Sequence, residues 1–504
     1  MSEPAALSVA PRFTRAIHIR RDFRDLRHNL DGYQVTPLVR QSAGRIIAGL
    51  APGALERAFS VVGPFGAGKS AFGLFLAHFL ERGEQGRRKL LQARDEPPAA
   101  EAALPLDAPR LLAVLVPGNH SSLRYAVLAG LADALTRLQP PLRGAQVERL
   151  RADIAEARRS PDLDPQRVAD LVAQAAATLA EQGARQGVLV LIDELGQFLD
   201  YAARGEDERD LLVLQSLAEM AARSGDTPCL IVTILHQAFE RYIAGAGLAR
   251  RAEWAKVQGR YAELPFQEPA SQMIRMVARA LRPEGRDPYR EARAAWAARM
   301  AGPSDALGLR PAEIGPDEWA RLLADSYPLH PMVLAALPAL FRRLAQNERS
   351  LFAFLHSDEP WGLRDVLRGA AAPSAELPIY RLTHLYAYVE AALGASLFGR
   401  ARGQRWSELA EARALLATGD PLLLDVLTVV GTIGALERSS GLRASAAQVC
   451  LALADAPADS AVEEALRALA TRRMLAYRRH RDSYIIWEGS DLDLEALTQD
   501  ERRR

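Results

Sequence analysis

The first half of this chain is marked by continuous apolar runs separated by helical patterns. The runs are rich in β-branched residues and span 59–62, 111–116, 188–192 and 229–235, with a shorter one at 262–266. Runs of this kind indicate strands that are covered on both faces. Helical periodicity covers 39–50, 121–138, 145–158, 165–183 and 208–223. Strands that alternate with helices predict an α/β fold, a parallel sheet with helices on both faces.

The pattern changes near residue 269, after which residues up to about 367 are predicted to be all helix. A Pro- and Ala-rich stretch at 368–378 predicts a linker. Amphipathic helices follow at 421–435, 445–454 and 461–472. Two short apolar stretches, 474–477 and 484–487, then flank the basic segment 478–483. Three helices and a hairpin with a basic tip resemble a winged helix. In the first half, the charged segment 82–109 predicts an exposed excursion.

Composition narrows the class of protein. Of the 504 residues 49% are hydrophobic and 25% charged, which is typical of an ordinary soluble protein, here expected to be cytoplasmic. No apolar run approaches the roughly 20 residues that cross a bilayer. Cys229 and Cys450 lie far apart in apolar segments, which predicts buried free thiols. The net charge of +1 gives no global attraction to nucleic acid, so such a contact requires a local patch.

The first apolar run leads into the pattern G-x-x-x-x-G-K-S and then into an apolar helix. This order is the context that a phosphate-binding loop requires. Only three of the 63 basic residues are lysines, so a lysine at this position disfavours the alternative of a glycine-rich turn without a ligand. We therefore predict that a nucleoside triphosphate binds at Gly63, Pro64, Phe65, Gly66, Ala67, Gly68, Lys69, Ser70 and Ala71. Lys69 would contact the β- and γ-phosphates, and the Ser70 hydroxyl would bind Mg²⁺.

Polar residues follow two of the later apolar runs. Asp193 and Glu194 lie where a parallel sheet presents its carboxyl edge. We expect Asp193 to hold Mg²⁺ and Glu194 to accept a proton from the attacking water, although a solvated acidic pair is the alternative. His236 and Gln237 could reach the γ-phosphate or could simply be solvated. The sequence has no N/T-K-x-D motif for reading guanine, so ATP is the expected nucleotide.

Three arginines are candidates to stabilise charge on the γ-phosphate. Arg250 and Arg251 form one pair, and Arg260 precedes the last predicted strand. An arginine in that role can accelerate phosphoryl transfer by about 10³- to 10⁵-fold. The alternative for each is a surface charge, since the chain has 60 arginines.

Taken together, the phrases GPFGAGKS, VLVLIDELGQFLDYAA, LIVTILHQAF and KVQGRYAELPF resemble the AAA+ superfamily, in particular its origin-recognition and STAND-like branch. The resemblance implies a P-loop NTPase three-layer sandwich, an all-helical lid and a C-terminal winged-helix-like domain. It further implies sensor roles for His236 and Arg349, an arginine finger at Arg260 and a switch at Asn119 that restrains Glu194. The expected domains are an arm with an adenine-side lead-in at 1–57, the ATPase core at 58–268, the lid at 269–367, the linker at 368–378 and the winged-helix-like domain at 379–504.

The phrases DELGQFLDYAA, YPLHP and QNERSLFAFL also resemble bacterial ATPases of phage-defence islands, such as bacteriophage-exclusion systems. In such proteins more chain often follows the segment that resembles 484–491, so a compact relative and a truncated form are both open expectations. We expect an ATP-hydrolysing switch or remodeller that acts on DNA or within a defence complex, as a homo-oligomer with protein partners. The alternatives are a nucleotide-gated scaffold and a DNA-binding regulator with little ATP turnover. Arg478, Arg479 and Arg481 at the hairpin tip would contact DNA, or else a protein partner.

Overall fold

The computed structural model describes the chain in two compact units, Arg15–Glu268 and Pro269–Arg504. The residues described are 17–25, 30, 33–92, 103–203, 209–236, 254–281, 287, 289–344, 351–356, 358–369, 378–393, 404–416, 419–440 and 442–487.

The first unit contains a five-stranded sheet that confirms the predicted strands. The strands are β1 (Ala58–Val62), β2 (Leu111–Val116), β3 (Gly187–Ile192), β4 (Cys229–Leu235) and β5 (Ala262–Pro265). All pairs are parallel, and the order across the sheet is β2-β3-β4-β1-β5. The carboxyl ends of β1, β3 and β4 therefore lie side by side.

Helices cover both faces of this sheet, so the α/β fold class is confirmed. Alternate residues of β3 point to opposite faces: Val188 and Val190 belong to one buried cluster, Leu189 and Leu191 to the other. The helices of this unit are α1 (Ile19–Arg24), α2 (Pro37–Ala48), α3 (Lys69–Glu81), α4 (Glu84–Gln92), α5 (Leu123–Arg137), α6 (Ala145–Ala157), α7 (Pro165–Glu181), α8 (Leu195–Ala203) and α9 (Arg209–Arg223). α2 and α3 pack on one face, whereas α5, α6, α7 and α9 pack on the other.

The described parts of the segment 82–109, residues 82–92 and 103–109, are not exposed throughout as predicted. The segment contains α4, and the Arg87 side chain is fully buried. Its guanidinium donates hydrogen bonds to the carbonyl oxygens of Phe79 and Leu80 at the end of α3. It also donates to carbonyl oxygens of the segment that leads into β2, at Leu106, Ala108 and Pro109. The charge is buried because backbone oxygens satisfy its donors, which a reading based on hydropathy cannot detect.

The second unit is helical and ends in an antiparallel hairpin. Its helices are α10 (Ala270–Leu281), α11 (Arg290–Ala306), α12 (Pro316–Ser326), α13 (Pro331–Leu344), α14 (Leu351–His356), α15 (Leu363–Gly369), α16 (Leu382–Leu393), α17 (Gln404–Leu416), α18 (Pro421–Ser440), α19 (Ala446–Ala454) and α20 (Ser460–Thr471). The hairpin is β6 (Leu475–Arg478) and β7 (Ser483–Ile486), so three helices precede a hairpin as predicted. One buried apolar cluster runs through the unit, from Ile274 to Leu475. α15 extends into the first two residues of the predicted linker.

Polar contacts join three segments of the second unit that are far apart in the sequence. Leu329 and Tyr380 form a parallel bridge just before α13 and α16. The Asp455 carboxylate, at the end of α19, accepts a hydrogen bond from Arg381 at 2.7 Å and lies 3.4 Å from His330 Nε2. Although burial alone would raise the pKa of Asp455, its bonds to His330 and Arg381 hold that pKa well below its usual value. The contacts therefore favour an ionised Asp455.

Two predictions from composition agree with the structure. Cys229 and Cys450 are both buried free thiols. Among the helices that the structure describes, none has both the length and the apolar character needed to span a bilayer.

Candidate nucleotide site

The glycine-rich loop joins β1 to α3. Gly66 and Gly68 have φ values of +71° and +83°, in the left-handed region that residues with a side chain rarely adopt. The amide N–H of Phe72 donates to the carbonyl oxygen of Gly68, so the helix begins directly at the loop. No side chain caps this N-terminus. The first turn of α3 therefore directs backbone N–H groups and the positive end of its dipole at the loop, as a phosphate site requires.

Lys69 is 4% exposed and folds back onto its own loop. Its ammonium donates to the carbonyl oxygens of Gly63 and Pro64, both at 2.6 Å. Burial lowers the pKa of Lys69 to about 8, although the nearby Asp193 and Glu194 carboxylates act in the opposite direction. Lys69 is thus mostly charged at neutral pH and lies between the loop and the acidic pair.

Asp193 lies at the end of β3, with the Ser70 side chain close enough to lower its pKa. It is almost fully buried, and its Oδ1 accepts the backbone N–H of Glu194 at 2.9 Å. Burial raises the pKa of Asp193 to about 6, and the nearby Ser70 side chain opposes that shift. A hydroxyl and a carboxylate close together offer the oxygen ligands that Mg²⁺ accepts. In the described part of the chain, no group of three or more His, Cys, Asp or Glu residues could hold a metal.

The backbone of Glu194 is strained, with φ at +48°. Its carboxylate Oε2 accepts a hydrogen bond from Gln197 Nε2 at 2.7 Å. Gly118, which follows β2, lies directly against it: a Cβ on Gly118 would be 2.5 Å from Glu194 Cβ and 2.7 Å from Oε2. Gln197 and Gly118, which are not part of the Asp-Glu motif, thus determine where the Glu194 carboxylate lies.

The sequence reasoning missed Gln197 and instead placed the restraint of Glu194 at Asn119. Asn119 is exposed at the same edge of the sheet, and among the described residues no hydrogen bond joins its side chain to Glu194. The three-residue spacing from Glu194 to Gln197 on α8 was the available signal, because residues at that spacing are neighbours on a helix. A role for Asn119 with nucleotide bound stays a prediction.

His236 follows β4 and reaches the loop. Its ring stacks on Phe65 with centroids 3.4 Å apart and an interplanar angle of 16°. Burial, aided by the nearby Lys69 charge, lowers the pKa of His236 to about 3. The imidazole is therefore neutral at physiological pH and offers one donor and one acceptor to the site.

Arg260 does not join this group. It precedes β5, which runs parallel to β1, so it lies at the amino edge of the sheet, opposite the loop. Its guanidinium pairs with Glu219, with Nη2 and Oε1 2.8 Å apart. A finger acting on the nucleotide of the same chain is therefore excluded for Arg260 by position, and a role in a neighbouring chain stays a prediction. Gln237, Arg250, Arg251 and Arg349 lie outside the described residues.

The hairpin of the second unit carries the predicted basic cluster. Arg479 and Arg481 lie in the turn between β6 and β7 and are exposed, and Arg478 at the end of β6 is half-buried. Within the described part of the chain, no carboxylate pairs with any of the three. Tyr477 and Trp487 are 46% and 49% exposed on the same hairpin.

No protein-family model matches the chain, and no curated protein matches it. Three similar solved structures come from Aeropyrum pernix. The ORC2 protein in its ADPNP–ADP complexes is 13% identical with a TM-score of 0.33, over 92% of each chain. Its ADP form is 13% identical with a TM-score of 0.34, over 96% of this chain and 97% of that one. The ORC1 protein in complex with DNA is 15% identical with a TM-score of 0.29, over 95% of both. At these values the likeness supports no statement about activity or partners.

Proposed function

We propose that this chain is an ATP-hydrolysing molecular switch. The observation that carries the proposal is the adjacency of β1, β4 and β3 in one parallel sheet, which places the loop after β1 and the Asp193–Glu194 pair after β3 at the same carboxyl edge. It brings the phosphate-binding loop and the acidic pair together, so the residues for phosphate, metal and water lie in one place. The motif resemblance to AAA+ and STAND-like ATPases supports the same function.

Each residue then has a defined task. Lys69 exchanges the carbonyl oxygens of Gly63 and Pro64 for oxygens of the β- and γ-phosphates, which are stronger acceptors for an ammonium. Ser70 and Asp193 would hold Mg²⁺, which neutralises the charge that develops on the phosphates.

Glu194 accepts the proton of the attacking water, and Gln197 orients its carboxylate. Because the backbone of Glu194 is strained, the hydrogen bond and the contact with Gly118 maintain a position that the residue would not adopt unaided. His236 contributes a neutral donor near the γ-phosphate, so it adds no charge to the site.

Two variants test this assignment. Glu194→Gln removes only the proton acceptor, so ATP binding should persist while phosphate release falls by about 10²- to 10⁴-fold. Lys69→Ala removes a charge from the loop, so binding itself should weaken. Glu156→Gln, at an exposed position of α6, is the matched control and should behave like the parent. Hydrolysis by Glu194→Gln at the parental rate would overturn the assignment of the base.

The same measurements separate the switch from a nucleotide-gated scaffold or a regulator with little turnover. Those alternatives predict that the parent binds ATP tightly and that Lys69→Ala binds it more weakly. They also predict that the parent releases phosphate as slowly as Glu194→Gln does.

We also propose that DNA is contacted by the hairpin. The supporting observation is that Arg478, Arg479 and Arg481 have no carboxylate partner among the described residues and share the hairpin with exposed Tyr477 and Trp487. Arginines bind phosphates, and exposed aromatic rings offer stacking surfaces. Homo-oligomer formation and a role in a multi-gene anti-phage system rest on the resemblance alone.

Replacing the three hairpin arginines with alanine tests the DNA contact. DNA affinity should fall for all DNA sequences. The slope of log affinity against log salt concentration should also become shallower by up to roughly three, since each phosphate that an arginine neutralises contributes about −0.9 to that slope. A triple alanine variant at the exposed Arg143, Arg149 and Arg159 removes the same charge and should leave the slope unchanged. Equal loss in both variants would show general attraction instead. Loss of a protein partner without any DNA affinity would favour a partner-binding hairpin.

A further inference from the structure

A second cavity, of about 490 Å³, lies beside the carboxyl end of β2. Its walls come from the start of α1, the loop after β2, one face of α5 and the end of α6. None of the residues that line it belongs to the phosphate-binding loop. Its size is that of a site for a small ligand or for part of a chain.

The charged side chains that line this cavity, among the residues described, are basic. His18, Arg20 and Arg158 contribute to its lining, and none of the described residues that line it is a carboxylate. Within the described part of the chain, neither Arg20 nor Arg158 forms an ion pair. By contrast, the adjacent Arg21 pairs with Asp22.

Arg20 is the most informative of the three. Its Nε is buried and has no hydrogen-bond partner. A buried guanidinium donor without an acceptor is costly, so an acceptor supplied from outside the chain would stabilise this arrangement. Arginine donors match phosphate oxygens in geometry, and several cations around one cavity favour a multiply charged anion.

The cavity also adjoins the candidate catalytic residue. Gly118 lines it and also lies against Glu194. We propose that this cavity binds a phosphate group of a second ligand and that its occupancy is coupled to hydrolysis through Gly118 and Glu194. The coupling rests on the function proposed above, whereas the binding does not.

Binding is measured by calorimetry on the full chain carrying Lys69→Ala, which disables the phosphate-binding loop. Two probes distinguish the source of the phosphate: inorganic pyrophosphate, for a free phosphorylated compound, and a short single-stranded oligothymidine without a terminal phosphate, for a nucleic acid backbone. At least one probe should bind, and Arg20→Ala or Arg158→Ala should each weaken that binding by about tenfold or more.

Arg159→Ala is the matched control, because Arg159 is the exposed neighbour of Arg158 and does not line the cavity. The oligothymidine can also bind the hairpin arginines, which are the same in both variants. The contribution of the cavity is therefore measured as the difference in oligothymidine affinity between Arg158→Ala and Arg159→Ala. Arg158 is itself exposed, which keeps the test valid if Arg20→Ala destabilises the fold.

Failure of both probes to bind, or binding that neither arginine variant weakens, would overturn the site. If ATP hydrolysis is absent from the parent while a probe binds in this manner, the proposed function fails and the binding site stands. If the parent hydrolyses ATP but a bound probe leaves its rate unchanged, the coupling fails alone.

Discussion

At the scale of single residues, the site depends on how one carboxylate is held. Glu194 carries its strained φ of +48° at the end of a buried strand, where Gln197 and Gly118 determine its orientation. A general base must lie within hydrogen-bond reach of the water that it activates. The residues that position Glu194 should therefore affect turnover without affecting nucleotide binding.

Gln197→Ala tests this directly. Losing the amide frees the carboxylate to rotate, so kcat should fall by about ten- to a hundredfold while ATP affinity stays near the parental value. Gln146→Ala is the matched control, because Gln146 also donates to a glutamate, Glu181, but at an exposed position of α6. Steady-state kinetics together with a nucleotide-binding assay separate the two effects. Equal loss in both variants, or a loss of affinity only, would contradict a positioning role.

Lys69 gives the site a dependence on pH. Its pKa is lowered to about 8 by burial, so the ammonium that contacts phosphate is present below that pH and is lost above it. ATP affinity measured without metal should be flat up to about pH 8 and then fall by up to about tenfold per pH unit, until the pKa of the bound state is reached. Lys69→Ala should bind weakly and show no such fall. A parental profile that is flat to pH 10 would show that Lys69 keeps its ordinary pKa.

At the scale of elements, the strands and the phosphate-binding loop were predictable, whereas several contacts were not. β2, β3 and β4 are buried on both faces, so their sequences are continuous apolar runs with clear ends. α4 was missed because its burial depends on a guanidinium bonded to distant carbonyl oxygens, which leaves no periodic apolar signal. The role of Gln197 depends on a side-chain contact that a strand-end motif does not specify.

Arg87 should be a major source of stability for its part of the sheet. Arg87→Ala leaves five backbone carbonyl oxygens without this donor and opens a cavity, so the free energy of unfolding should fall by about 3 kcal/mol or more. Arg88→Ala is the matched control, since Arg88 is exposed and pairs with Glu84 in the same helix. Its effect should stay within about 0.5 kcal/mol. Denaturant titration measures both, and equal effects would mean that the buried contacts of Arg87 contribute little.

At the scale of the whole molecule, the candidate site residues are divided between the two edges of the sheet. The loop, Asp193, Glu194 and His236 occupy the carboxyl edge, whereas Arg260 lies at the amino edge, two residues before β5. A strand of five residues spans roughly 15 Å, which separates Arg260 from the nucleotide of its own chain. Only the site of a second chain could receive it. Its pairing with Glu219 is partly exposed, so releasing it costs little.

Mixing two inactive chains tests this arrangement. Arg260→Ala keeps a complete carboxyl edge but cannot supply an arginine, and Glu194→Gln keeps the arginine but lacks the base. If Arg260 acts on a neighbour, each variant alone should hydrolyse ATP slowly and the mixture should regain part of the parental rate. Parental activity per chain should also rise with protein concentration, since the active site then forms only on assembly. The control is Arg223→Ala at the end of α9, which should leave activity unchanged. A specific activity that is constant over all concentrations, with no recovery on mixing, would leave Arg260 as a surface ion pair.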